Sequence, residues 1–205
     1  VHFDFIMAAI SSHLLELGMP LPPFRLPLVC GGGDWGTDER LDKITLVIFL
    51  CAHCPYVLHV APELARISAE YMQRGVQFVG VTSNDTQAYP QDAPAPTHQF
   101  AAASSLAFPI VFDEDQSVAR AFCAACTPDF YLFNTEGHLV YHGQMDDSRP
   151  MRGPDRPGCG TPNGAALRSA LDAALNGSPA TAPQLPSIGC SIKWKPGNEP
   201  AYRAS

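Results

Sequence analysis

Two cysteines, three positions apart, carry the most reactive chemistry this chain offers. Residues 46–64 read LVIFLCAHCPYVLHVAPEL: an apolar run, then Cys51-Ala52-His53-Cys54-Pro55, then a helical pattern. Where the helix begins decides which thiol reacts. With Cys51 as N-cap, Pro55 would be the fourth helical residue, where its missing N–H forfeits an intrahelical bond and its ring crowds the carbonyl behind it. With Cys54 as N-cap, Pro55 is the first helical residue, where proline is favoured because that N–H has no partner anyway. The second start is the consistent one. It puts Cys54 at the positive end of a helix, an environment that lowers a thiol pKa; a drop of ~2 units from ~8.5 makes thiolate the majority form at neutral pH. Cys51, in the strand-to-helix loop, is close enough to be its disulfide partner. His53 beside the nucleophile either favours the thiolate electrostatically or shields it.

The other five of the seven cysteines divide by context. Cys126 precedes Thr127-Pro128 at the entry to a strand and is a candidate second resolving thiol or metal ligand. Cys123 sits in a helical position that suggests core packing. Cys190, in the tail, either pairs with another thiol or packs quietly, and Cys30 and Cys159 lie in Gly-rich loops. Arg149, in Asp146-Asp147-Ser148-Arg149, could lend positive charge to the site, although an ion pair with either aspartate accounts for it more simply. Cys51 and Cys54, with His53 or Cys126, would also suit copper(I) or zinc as soft ligands. This metal-binding alternative belongs to a different class of function, and a redox-inert interaction module whose tail is a partner surface is a third.

These residues need elements to hold them. The apolar run Ile44–Leu50 predicts a strand. Val57, Val60, Leu64, Ile67 and Tyr71 predict one buried helical face over Pro55–Gln73, closed by Gly75. Gln77–Thr82, apolar without clear alternation, predicts a central buried strand, and the polar Ser83-Asn84-Asp85 at its end either lines a site or caps a turn. Further expectations are a helical turn over Ser11–Leu17, an edge strand over Leu21–Leu26, a flexible Gly31–Gly33 turn and a polar loop over Asp34–Asp42. A proline-rich loop spans Gln91–Pro96. A helix capped by Thr97 runs to Leu106, and a strand covers Phe108–Phe112. Asp113–Asp115 reads as a solvated turn before a helix over Gln116–Cys123. A hairpin joins strands Phe130–Phe133 and His138–His142. A long loop covers Met145–Asn163, and a helix follows over Gly164–Leu175. The proline-rich tail, 178–205, should wrap the domain irregularly.

The 205 residues carry 13 basic and 20 acidic side chains, for a formal charge of -7. No basic cluster exists, which argues against nucleic acid and anionic membranes as partners. No apolar run approaches the ~20 residues of a membrane span, and no signal-peptide pattern is seen. Residues 1–6 precede Met7 and read as a remnant. The odd cysteine count argues against a disulfide scaffold and for a reducing compartment, cytoplasmic or organellar.

Strand, cysteine loop and helix in this order resemble the thioredoxin fold. Phe49 matches the strand phenylalanine of a thioredoxin, His53 the tryptophan before the nucleophile, Cys54 the nucleophile and Pro62 the helix-kinking proline. The resolving cysteine and buried aspartate of thioredoxin would fall at Val57 and Ile48, so the Cys-x-x-Cys here lies upstream with its second member as nucleophile. Cys-Pro at the helix start also resembles peroxiredoxins, whose preceding proline and threonine correspond to Val47 and Cys51. The segments CAHCPYV, VTSND, FDEDQSVARAF, ACTPDFYLF, GQMDDSRP and PSIGCSIKWKPGNEP resemble the redoxin family related to alkyl hydroperoxide reductase and thiol-specific antioxidant proteins. That resemblance implies an α/β, thioredoxin-like domain over 17–177, a central mixed sheet flanked by helices. An N-terminal extension over 1–16 and an extended tail over 178–205 complete the chain. It implies a cis Thr127-Pro128 loop facing Cys54 and presenting backbone groups to substrate. The implied activity is thiol–disulfide oxidoreduction by Cys54 with Cys51, or less simply Cys126, as resolver; a thiol peroxidase is the alternative. No cofactor or metal is implied. The partners would be a disulfide or peroxide substrate and a thiol electron donor.

Overall fold

The computed structural model describes residues 9–38, 42–151, 158–180 and 183–204. The first half of the N-terminal extension therefore lies outside the described residues, as do parts of the 34–42 and 145–163 segments.

The architecture is built on strand β4 (Thr45–Phe49), whose five residues are all buried. Its alternate side chains enter two cores. Leu46 and Ile48, with Leu50 beyond the strand, pack under Val57, Leu64, Ile67, Leu167 and Leu171. Val47 and Phe49 face Val79, Val81, Val111, Phe122 and Tyr131 on the opposite side. A strand buried on both faces reads as a continuous apolar run, which is how this one reads. β5 (Gln77–Thr82) and β6 (Ile110–Phe112) extend the sheet in parallel from one edge of β4. β8 (Asp129–Phe133) and β9 (Leu139–Gly143) extend it antiparallel from the other, in the order β6-β5-β4-β8-β9. This is the expected α/β, mixed-sheet, thioredoxin-like fold.

Helix α1 (Pro55–Gln73) starts at Pro55 with Cys54 as N-cap and holds Pro62 in its interior. Gly75, at φ +91°, ends it in the left-handed region that glycine adopts freely. Helix α2 (Pro94–Ala103) starts three residues before the expected Thr97 cap. Pro94 and Pro96 fit a first turn, where N–H groups lack partners, and Thr97 Oγ1 donates inward to the Asp92 carbonyl at 3.2 Å. The loop ahead of it contains a 3-10 turn, Pro90–Asp92. Helix α3 (Ser117–Ala121) is shorter than expected, and α4 (Ala165–Leu175) follows the leucine periodicity.

Other expectations are corrected. Residues 9–11 form a strand, β1 (Ala9–Ser11), and no helical turn follows, because the Ser12 amide donates to the Ser187 carbonyl at 2.8 Å. The edge strand shrinks to β2 (Arg25–Pro27), which pairs not with the main sheet but with β3 (Asp34–Gly36), inside the expected polar loop; Gly31–Gly33 make the turn between them. Asp113 is fully buried rather than solvated, because its carboxylate accepts the Ser83 hydroxyl at 2.8 Å and the Val118 and Ala119 amides at the start of α3.

The largest correction is the tail. It contains a strand, β10 (Ile188–Ser191), between β1 and β7 (Cys126–Thr127) in a second, three-stranded antiparallel sheet. The tail is then fastened across the end of β5. The Asp85 amide donates to the Lys193 carbonyl at 2.8 Å, the Lys193 amide to Asn84 Oδ1 at 2.9 Å and the Ile192 amide to the Ala125 carbonyl at 3.0 Å. Asn84, at the strand end singled out in the sequence, is thus a clamp for the tail.

Candidate active site

β4 ends where α1 begins, so the loop between them brings Cys51, His53 and Cys54 to the carboxyl edge of the sheet. β7 and β8 meet opposite them at Thr127-Pro128, a cis peptide bond. Cys54 and Cys51 are 0% and 2% exposed, and both thiols are free.

Competing contacts meet at the Cys54 sulfur. The Thr127 carbonyl oxygen, 3.1 Å away, accepts from the neutral thiol. Burial also favours the neutral form. Against these act the Cys190 thiol and the Thr127 side chain, which donate hydrogen bonds to the sulfur, and the backbone amides of Val57 and Cys190. Val57 is the third residue of α1, so its amide is one of the orphan donors of a helix start, although the sulfur makes no formal capping bond. The donors prevail, and the Cys54 thiol comes down to about 6.

Cys51 is pushed the other way, well above the ordinary thiol range, by burial, by the Asp92 charge and by Cys54. Its thiol donates to Asp92 Oδ1 at 3.4 Å. The same oxygen lies 2.8 Å from His53 Nδ1, and Oδ2 accepts from Asn84 Nδ2 at 2.8 Å. Asp92 is fully buried, whereas the His53 side chain is 24% exposed and stacks on Tyr89. One motif therefore holds a thiol brought down to about 6 and a thiol pushed above the ordinary range, the latter against a carboxylate. Cys51, His53 and Asp92 also bring a sulfur, a ring nitrogen and a carboxylate oxygen within 4.8 Å of one another.

The remaining predicted residues are placed as follows. The Cys126 thiol points to the Ser187 carbonyl at 3.8 Å, and burial and the nearby Asp129 charge push its pKa well up. The thiol that hydrogen-bonds Cys54 is Cys190, not Cys126. Thr127 was expected to offer its backbone to a substrate, but that edge is already paired with Cys190 of β10. Arg149 makes no ion pair with Asp146. Its guanidinium donates to the Asp146 and Ser148 carbonyls at 3.0 and 2.7 Å, because the Asp146 carboxylate is occupied by Ser148 and by the Asn163 and Gly164 amides. Arg149 lines a cleft with Tyr56, His59, Pro128 and Ile188; Cys54 does not line it.

Sequence reasoning missed Asp92 and the contact made by Cys190. Asp92 had no motif to mark it, lying in a proline-rich segment 38 positions from Cys54. Cys190 was visible only as a tail cysteine of open role.

A dithiol at the start of a helix, opposite a cis proline at the edge of a mixed five-stranded sheet, defines a thioredoxin-like protein. The chain belongs to the Redoxin family, whose model matches residues 16–157. It is similar to an uncharacterised conserved protein from Geobacillus kaustophilus of known structure (45% identical, 93% of this chain and 98% of that one, TM-score 0.86). It is also similar to a hypothetical protein, SMc02350, from Sinorhizobium meliloti 1021 (40% identical, 91% and 99% covered, TM-score 0.84). A thiol:disulfide interchange protein of the thioredoxin family from Chlorobium tepidum TLS shares the fold (16% identical, 79% and 99% covered, TM-score 0.59). Among curated proteins, FixW of Rhizobium leguminosarum is 24% identical over 140 residues, covering 64% of this chain. The thiol-disulfide oxidoreductase ResA of Halalkalibacterium halodurans is 27% identical over 102 residues, covering 50%. The chain spans 62% and 54% of the length of these two relatives.

Proposed function

We propose that this protein is a thiol–disulfide oxidoreductase in which Cys54 is the nucleophile and Cys51 the resolving thiol. The observation that carries this reading is the opposite perturbation of the two thiols: Cys54 lowered to about 6, Cys51 raised and hydrogen-bonded to Asp92. The Cys54 thiolate attacks one sulfur of a substrate disulfide, forming a mixed disulfide and releasing the other sulfur as a thiolate. Cys51 then passes its proton to Asp92 and attacks Cys54. The Cys51–Cys54 disulfide forms, the second substrate sulfur leaves as a thiolate, and two electrons have moved from protein to substrate. Capping Cys54 removes its charge, one of the causes that hold the Cys51 proton on, so resolution becomes easier once the first step is complete. The relatedness to ResA supports the reaction class. A thiol electron donor follows from this reading, and the odd cysteine count favours a reducing compartment for it.

The test is reduction of a small aromatic disulfide by the reduced protein, followed by mass spectrometry of the products. Wild type should end as a Cys51–Cys54 disulfide, Cys51→Ser should retain substrate on Cys54 for longer, and Cys54→Ser should be inert. An active Cys54→Ser variant would reject the reading. Hydrogen peroxide in place of the disulfide distinguishes a thiol peroxidase, which would pass through a Cys54 sulfenic acid.

The Cys51, His53 and Asp92 cluster favours one second reading, a zinc site: sulfur, imidazole and carboxylate are its customary donors. Zinc titration of the reduced protein against a chromophoric chelator separates the two. Tight, stoichiometric zinc lost in Asp92→Asn and His53→Ala supports metal binding, and no competition with the chelator removes it.

A further inference from the structure

The thiol that hydrogen-bonds Cys54 does not belong to its motif. Cys190 arrives from the far end of the chain. It is 1% exposed and lies in the same apolar cluster as Cys51 and Cys54, a cluster that excludes Cys126. β10 pairs antiparallel with β7, Cys190 opposite Thr127, and Thr127 also touches the Cys54 sulfur. β10 thus lies along the edge beside the cis proline that an extended peptide would take by strand addition, with a cysteine where such a peptide would carry its reacting sulfur. This packing is close. A Cβ on Gly189 would lie 2.0 Å from the Thr127 carbonyl oxygen, so only glycine lets the strands approach this far. The tail is also held by Asn84, Asp85, Gln116 and Ala125, so Cys190 is a resident neighbour of Cys54.

We infer that Cys190 is a third redox thiol of this site, closing a disulfide with Cys54 as an internal counterpart of a substrate strand. The inference rests on the reading of Cys54 as nucleophile. Cys54 first forms a mixed disulfide, Cys54–S–S–R. The Cys190 thiol loses its proton to solvent and attacks the Cys54 sulfur. The Cys54–Cys190 bond forms, the bond to R breaks, and R leaves as a thiolate that solvent protonates. The two cysteines are oxidised by two electrons and the disulfide of R is reduced. While Cys54 is ionised, its hydrogen bond holds the Cys190 proton strongly in place, with burial as the next cause; capping Cys54 removes the first of these. Cys51 and Cys190 then compete for one sulfur, so the protein can store its oxidising equivalents in either of two disulfides.

The experiment follows adduct decay in the full chain with 2-hydroxyethyl disulfide, a small probe suited to a buried sulfur, by acid quench, alkylation and peptide mapping. In Cys51→Ser, the hydroxyethylthio adduct on Cys54 should convert to a Cys54–Cys190 cross-link and release 2-mercaptoethanol. In Cys51→Ser/Cys190→Ser the adduct should persist at least tenfold longer. Equal persistence in both variants overturns the inference and leaves the Cys54 reading intact. No adduct on Cys54 in either variant or in wild type overturns both. A measurement in an otherwise native chain guards against misfolding of Cys51→Ser. Cys190→Ala should raise the midpoint of Cys54 alkylation, and Cys190→Ser, which keeps a donor, should restore much of it without restoring any cross-link. A midpoint unmoved in Cys190→Ala would overturn the contact on which the inference stands.

Discussion

The ionisation of Cys54 can be followed directly by raising the pH over the reduced protein. Its thiol should titrate at about 6, against an ordinary 9.0. At pH 7 a thiol of pKa 6 is about 90% thiolate and one of pKa 9 about 1%, a ratio of about 90 in reactive species. Nucleophilicity falls with basicity, at a Brønsted slope of about 0.4–0.5, so a thiolate three units less basic is intrinsically about 20-fold slower. The two factors nearly offset, leaving an advantage of only about fourfold at pH 7. The absolute rate is therefore a poor reporter, and burial of the sulfur slows any bulky reagent further. The midpoint is the informative quantity. Iodoacetamide alkylation over pH 4–10, with Cys54 and Cys51 peptides quantified separately, should give a Cys54 rate that levels off above pH 7. The Cys51 rate should still be climbing at pH 10. A Cys54 profile rising to pH 9, or one that coincides with Cys51, would refute the assignment of thiolate to Cys54 and the roles built on it.

Three further outcomes are expected. Asp92→Asn removes the acceptor of the Cys51 proton, so decay of the mixed disulfide on Cys54 should slow at least about tenfold at pH 7, measured by quenched mass spectrometry, with the Cys54 midpoint in place. The reduced protein should gain stability as pH rises from 6 to 9, because in that window unfolded Cys54 holds a proton that folded Cys54 has released. The slope is at most about 1.4 kcal/mol per pH unit, and it is lost as pH falls through 6. Above pH 9 the raised thiols Cys51 and Cys190 should reverse it, and Cys54→Ala should flatten the window in urea melts. Phe122→Ala should cost about 3–5 kcal/mol in the same melts, since that ring meets Phe24, Phe49, Tyr131 and Phe133 edge-on at 5.3–6.0 Å in the core below β4.

Much of the fold was legible because its signals are local. Pro55 can stand in only one place at a helix start, which fixed Cys54 as the N-cap and α1 as Pro55–Gln73. The apolar β4 and β5 runs read as strands, and the lack of alternation in β5 suited a central, buried one. Thr127-Pro128 was placed opposite Cys54 by family resemblance rather than by any property of the dipeptide. Misreadings arose where a side chain has a distant partner. Asp113 looks like a solvent turn until Ser83 and the α3 amides surround it, and Thr97 looks like a cap until its hydroxyl turns to the Asp92 carbonyl.

By itself, the sequence determined the succession β4, cysteine loop, α1 and β5, the helix dipole at Cys54 and the placing of two cysteines in one loop, since each depends on neighbours within a few residues. Only the tertiary structure decided what surrounds those sulfurs. Asp92 comes from 38 residues beyond Cys54, and Cys190 from a tail without periodicity, drawn in by strand pairing with β1 and β7. Hydrogen bonds and buried charges act through space over a few ångströms, so the donors and acceptors that make Cys54 a thiolate and keep Cys51 a thiol come from segments that meet only when the sheet edge and the tail close around them.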